Sequence, residues 1–245
     1  MTQTEVQPPE DNLDKPLPVW ALLLTPFYVG GLFTAILFPI SRDWGWLEAW
    51  LFTIIFAINI TISNLILNAK TPRVLRNRMK VKKEGLTAKT KKSAGSDWFI
   101  MPMLSAGFFG ALFIPPFDHR FGWSSIPFML EMVGLIMTNA GMIFMYVVMQ
   151  QNAYASKLLD INKGQTIIDT GLYSHVRHPM YSGACLMILA VPIALGSWWG
   201  LIPAAAGALS LVFRTRFEED MLVKGMDGYA DYQNRVKYKL IPGIF

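Results

Sequence analysis

The sequence has 245 residues, 53% of them hydrophobic and 16% charged, with mean hydropathy +0.35. That is more apolar material than a soluble core of this length needs, and a bilayer is the natural place for the excess. One cysteine, Cys185, excludes an internal disulfide framework and a multi-cysteine zinc site, and with only three histidines no metal centre is expected. The net charge of +5 is concentrated in one loop between apolar runs, as in a cytoplasmic membrane loop, so nucleic acid is not expected as a partner.

In chain order, residues 1–18 are Pro-rich and carry Glu5, Glu10, Asp11 and Asp14. They lack the basic start of a secretory signal and read as a flexible tail before a retained anchor. Crossing a hydrocarbon core takes roughly 20 apolar residues of helix. Residues 19–40, 49–69, 98–117 and 132–151 meet that length without a charge; Asn59, Asn64 and Asn68 mark one polar side of the second. Trp44, Trp46, Trp50, Trp98 and Trp123 fall near the ends, where interfacial anchors belong. The fifth apolar run, 179–213, would be about 50 Å long as one helix, so it is expected to fold back on itself. Pro192, Gly196, Gly200 and Pro203 put the break near 196–200, and the small residues 204–208 suit close packing on a neighbour.

Between the second and third spans, residues 70–92 hold Arg73, Arg76, Arg78, Lys80, Lys82, Lys83, Lys89 and Lys91 against one acid, Glu84. This loop is expected on the cytoplasmic side. Counting outward puts the N-terminus, residues 152–178 and the tail 214–245 on the same side. The expected fold is therefore all-α: one domain over 1–245, a polytopic bundle of about five to six membrane helices whose last two form a hairpin, followed by a cytoplasmic helical tail.

Two polar segments flank that hairpin. The first runs Gly171-Leu172-Tyr173-Ser174-His175-Val176-Arg177-His178-Pro179-Met180-Tyr181, and the second Arg214-Thr215-Arg216-Phe217-Glu218-Glu219. Pro179 suits the first turn of a helix with His178 just ahead of it, so free backbone amides there could receive a carboxylate or phosphate. Tyr173 and Tyr181 offer aromatic faces to a purine or a cation. Equally, Arg177 and His178 could only snorkel and cap. Arg214 and Glu218, four apart, share a helix face and could be an ordinary surface pair. Alternatively, Arg214 holds an anionic substrate group while Glu218 accepts hydrogen bonds from a polar cofactor. Glu219 reads as a solvated neighbour and Arg216 as a headgroup contact.

These two segments, the intervening hairpin and Tyr229-x-x-Tyr232-x-x-x-Val236 leading to Leu240-Ile241-Pro242 together resemble the isoprenylcysteine carboxyl methyltransferase family over roughly the last 95 residues. Asn152-Ala153-Tyr154-Ala155-Ser156 and the basic loop resemble its prokaryotic branch. The resemblance implies an integral membrane methyltransferase that uses S-adenosylmethionine without a Rossmann domain, with residues 152–245 as its cofactor-binding and catalytic part. By motif, His178, Pro179 and Tyr181 would bind the cofactor, with Tyr173 and a strand-like segment of Gln165, Thr166, Ile167 and Ile168. Glu218 matches the cofactor-binding Glu and Arg214 the substrate-facing Arg, these two being the catalytic candidates. The chain departs from the family at Gln165, where a His is frequent, and at Met226-Asp227-Gly228, which is one residue short.

Methyl transfer to a carboxylate fits a chain with no nucleophile or triad, since a carboxylate is already ionised at neutral pH. The expected substrate is a lipophilic or lipidated, isoprenylcysteine-like compound reached from the membrane lipids at the cytoplasmic face. Two alternatives stand beside it. A phospholipid ethanolamine N-methyltransferase would need a base such as His178. An NADPH-dependent membrane reductase would need a diphosphate-binding loop that the sequence lacks.

Overall fold

The computed structural model describes residues 15–79, 90–152 and 166–245. The uncharged runs become helices: α1 (Val19–Leu23), α2 (Thr25–Ser41), α3 (Leu47–Lys70), α4 (Pro72–Met79), α5 (Thr90–Phe121), α6 (Phe128–Gln151), α7 (Pro179–Ala194), α8 (Leu201–Gly225) and α9 (Tyr229–Arg235). No strand occurs among the described residues. Four segments are long and apolar enough to cross a bilayer, namely Val19–Ser41, Leu47–Lys70, Phe99–Phe121 and Phe128–Gln151. Their outward faces carry large bare side chains such as Phe27, Ile136 and Met129. Water would not tolerate that surface and lipid would, so the chain is an integral membrane protein.

The first span is broken rather than continuous. Pro26 sits in the first turn of α2, where it cannot donate to a preceding turn, and α1 ends at Leu23. At the other end of the bundle, α5 continues beyond residue 117 because its Asp118 can be buried. Asp118 accepts hydrogen bonds from Ser124 N (2.7 Å), Ser124 Oγ (2.6 Å) and Ser197 Oγ (2.5 Å). Ser197 lies in the turn between α7 and α8, so one carboxylate pins the expected hairpin bend to the end of α5. The bend falls at residues 195–200, with Gly196 at φ +73°.

Small residues set the helix spacing. A Cβ on Gly107 of α5 would lie 2.4 Å from Gly207 Cα of α8, and one on Gly134 of α6 would lie 2.5 Å from Ala194 N of α7. The 204–208 run thus packs against α5. Without a hydrophobic drive between helices in lipid, such backbone contact and interhelical hydrogen bonds hold the bundle. The polar side of α3 supplies several: Asn59 donates to Asn139 at 3.0 Å, Tyr146 to Asn64 at 3.4 Å, and Asn68 exchanges two bonds with the Leu17 backbone. Gly107→Leu is expected to separate α5 from α8 and lose folded protein on size-exclusion chromatography in detergent. Gly30→Ala, where nothing lies within 4 Å of the added carbon, is expected to change nothing.

Candidate active site

Pro179 occupies the first turn of α7 with His178 as the residue that caps it, and α8 runs unbroken from its apolar half through Arg214 to Gly225. Because α7 leaves and α8 returns to the same end of the bundle, residues some 37 apart meet. The Tyr181 hydroxyl donates to Glu218 Oε2 at 2.5 Å, and His178 Nδ1 lies 3.9 Å from that oxygen. The His178 and Tyr181 rings are parallel within 4°, with centroids 5.6 Å apart. Arg214 Cζ stands 5.8 Å from the Tyr181 ring centroid, a cation over an aromatic face, and its Nη1 reaches Met101 Sδ at 3.4 Å. Four of the expected residues, His178, Tyr181, Arg214 and Glu218, are therefore brought together, with Pro179 buried beneath them. Arg214 is 5% exposed, so its charge is strongly felt at the Tyr181 face.

Glu219 is not the solvated neighbour expected of it. It is 5% exposed, and its Oε1 accepts from Arg177 Nε at 2.6 Å and faces His178 Nε2 at 3.1 Å, while Oε2 binds Lys239 Nζ at 2.8 Å. Burial alone would raise its carboxyl, but hydrogen bonds from His178, Arg177 and Lys239 outweigh that and hold it at about 2. A carboxyl lowered on folding stabilises the fold above its unfolded value, and the contribution fades as pH falls toward the folded one. The detergent-solubilised protein is expected to lose thermal stability as pH drops below about 4.5, and Glu219→Gln to flatten that dependence.

The amides ahead of α7 are not open to an anion either. Arg177 N donates to Tyr238 O at 3.0 Å and His178 N to Lys239 O at 2.9 Å. Arg177 Nη1 donates to Val236 O and Lys237 O at 2.5 and 2.9 Å, and Ser182 Oγ to Leu240 O at 2.6 Å. The tail is thus helical only through the short α9; from Val236 onward it is a strap over the Arg-His-Pro corner. Buried carbonyls and amides must be paired, and here each segment satisfies the other. Arg177, Glu219 and Lys239 were missed as site residues because their contacts span 20 to 60 positions, and an isolated Arg-His or Glu-Glu pair carries no distance information.

The remaining candidates sit with the tail. Tyr173 is buried, its hydroxyl accepting from Asn152 Nδ2 at 3.0 Å and its carbonyl from the Tyr232 hydroxyl at 2.7 Å. Thr166, Ile167 and Ile168 form no strand: they have no regular secondary structure, and Ile167 packs on the cluster of Tyr229, Tyr232 and Val236. Burial pushes the Tyr229 and Tyr232 hydroxyls upward, away from ionisation. Gln165 lies outside the described residues, as do residues 153–156 of the upstream motif.

The phospholipid methyltransferase family model matches residues 130–226. No curated protein matches the sequence. A solved structure of the eukaryotic intramembrane Ras methyltransferase, isoprenylcysteine carboxyl methyltransferase, is similar over 92% of this chain and 84% of that one, at 16% identity and TM-score 0.46. That degree of likeness establishes neither fold nor activity. The segment from α6 through the α7–α8 hairpin to the paired glutamates is therefore similar in sequence to the phospholipid methyltransferase family.

Proposed function

We propose that the protein transfers a methyl group from S-adenosylmethionine to the carboxylate of a lipophilic, isoprenylcysteine-like acceptor at the cytoplasmic membrane face. The observation that carries this reading is the buried Arg214 over Tyr181, beside the Glu218 carboxylate, at the mouth of a membrane hairpin. The similarity of residues 130–226 to phospholipid methyltransferases supports methyl transfer.

The donor set suits the cofactor. Glu218 and His178 Nδ1 offer acceptors to an ammonium group or ribose hydroxyls, and the Tyr181 face suits a cationic sulfonium. When bound, the cofactor supplies a methyl group already activated on sulfur, so the protein needs alignment and dryness more than acid–base chemistry. Arg214 orients the acceptor carboxylate as a planar fork. An ionised carboxylate gives up no proton on becoming an ester, and the site needs no base. The basic residues around 70–92 favour the cytoplasmic orientation.

Phosphatidylethanolamine N-methylation is the second reading, favoured by the name of the matching family. It requires a base for a protonated amine. The nearest imidazole, His178, is 6% exposed with its Nε2 on Glu219, so only its Nδ1 would be left for that task.

Membranes containing the protein are to be incubated with methyl-labelled cofactor and prenylcysteines, ethanolamine lipids and quinone precursors. Base-labile label on the prenylcysteines is expected. Stable label on the ethanolamine lipids would replace the carboxylate reading with the amine one, and no incorporation would remove both. Arg214→Ala is expected to lower turnover by about 10²-fold while leaving cofactor affinity within about threefold, read as a split between kcat and Kd.

A further inference from the structure

The two adjacent glutamates of α8 point to different neighbours. Consecutive helical residues diverge by about 100°, so Glu218 meets Tyr181 while Glu219 turns into the buried pocket of Arg177, His178 and Lys239. Only Glu218 stands on the side where Tyr181 and Arg214 present their faces.

We propose that Glu219 is a positioning residue acting through His178: it keeps the imidazole proton on Nε2 and thereby leaves Nδ1 as a hydrogen-bond acceptor facing the Glu218 side. For its effect on cofactor affinity, the inference rests on the methyl-transfer reading above.

Held ionised between two cations, Glu219 can only accept hydrogen bonds, so the nitrogen 3.1 Å from its Oε1 must be the donor. In a neutral imidazole the other nitrogen then carries the lone pair. Nδ1 stands 3.9 Å from Glu218 Oε2, too far for a direct bond. Two acceptors so placed suit an ammonium group, which has three protons to give, or a pair of ribose hydroxyls. Two neighbours border the ring in this arrangement. Tyr181 lies parallel to it, and the His178 backbone amide is tied to Lys239 O, the residue whose side chain also holds Glu219. Fixing a tautomer through the hydrogen bond on the far nitrogen is a general device for aiming an imidazole.

The test has two arms. With 15N-labelled histidine in lipid nanodiscs, the His178 signals, assigned by their absence in His178→Ala, are expected to report Nε2 as the protonated nitrogen and Nδ1 as the acceptor. Glu219→Gln, which can still accept through its amide oxygen, is expected to keep that form, and Glu219→Leu to mix the tautomers. In the second arm, calorimetric binding of S-adenosylhomocysteine is expected to weaken at least tenfold in Glu219→Leu and to recover in Glu219→Gln. The double variant of His178→Ala with Glu219→Leu is expected to bind no more weakly than His178→Ala alone, the non-additivity of residues that act through one another. A ring protonated at Nδ1 or at both nitrogens in the unaltered protein, or additive losses in the double variant, would overturn the proposal. The unaltered protein's spectrum needs no cofactor to bind. A protein that binds no S-adenosylhomocysteine at all would sink the methyl-transfer reading, while the spectrum would still decide the tautomer.

Discussion

Glu218→Ala is expected to weaken binding of S-adenosylhomocysteine by about 10- to 100-fold, the worth of charged hydrogen bonds at about 1.5–3 kcal/mol. Its side chain keeps a quarter of its surface open, unlike that of Glu219, and its hydrogen-bond partner is the Tyr181 hydroxyl. Removing it therefore deletes an acceptor pointed at the open side of the site without stripping a counter-charge from the interior. The melting temperature is expected to stay within a few degrees. Glu218→Gln keeps an acceptor for Tyr181 but not the charge, so it is expected to fall between the two. Equilibrium dialysis with labelled ligand decides the matter: equal affinity in the unaltered protein and Glu218→Ala would refute the assignment of Glu218 to the cofactor.

The largest effect on stability is expected from Arg177→Leu. The substitution leaves the buried Glu219 short of one cation and orphans the Val236 and Lys237 carbonyls at once. Breaking a buried ion pair from one side costs about 3–5 kcal/mol, which for a chain of this size is roughly 10 °C in melting temperature. The damage should be local first. Limited proteolysis is expected to cut the released strap between Val236 and Leu240 faster than in the unaltered protein. Arg177→Lys should rescue only in part, because a single ammonium cannot reach a carboxylate and two carbonyls as a guanidinium fork does. Unchanged cleavage in Arg177→Leu would mean that the backbone bonds to Tyr238 and Lys239, the Ser182 bond to Leu240 and the packing of Tyr229, Tyr232 and Val236 hold the strap without the guanidinium.

Membrane helices were legible because their signal is local. The spans over 49–69 and 132–151 follow from the length of uncharged runs, and the hairpin follows from a run too long for one crossing. Arg214 and Glu218 were legible for a similar reason, since four-residue spacing fixes a shared face whatever lies around it. Long-range pairing was not legible. Nothing near Glu219 in sequence announces Lys239, and nothing near Asp118 announces Ser197, so burial of those charges could not be foreseen. The strand-like segment that the resemblance implied for residues 165–168 is irregular over the described 166–168: a strand needs a partner, and here the neighbouring element is α9. The open amides expected before α7 were a correct account of an isolated helix end, overruled by carbonyls from residues 238 and 239.

The strap also imposes an order on biosynthesis. A chain emerges from the ribosome N-terminus first, so the α7–α8 hairpin is complete before Lys239 exists. During that interval Arg177 and Glu219 have each other, but the Val236 and Lys237 carbonyls, the third partner of Glu219 and the acceptor for the His178 amide have yet to be made. The candidate site is therefore the last part of the molecule to mature, and a nascent chain halted after α9 would be inserted in the bilayer with its Arg-His-Pro corner still uncovered.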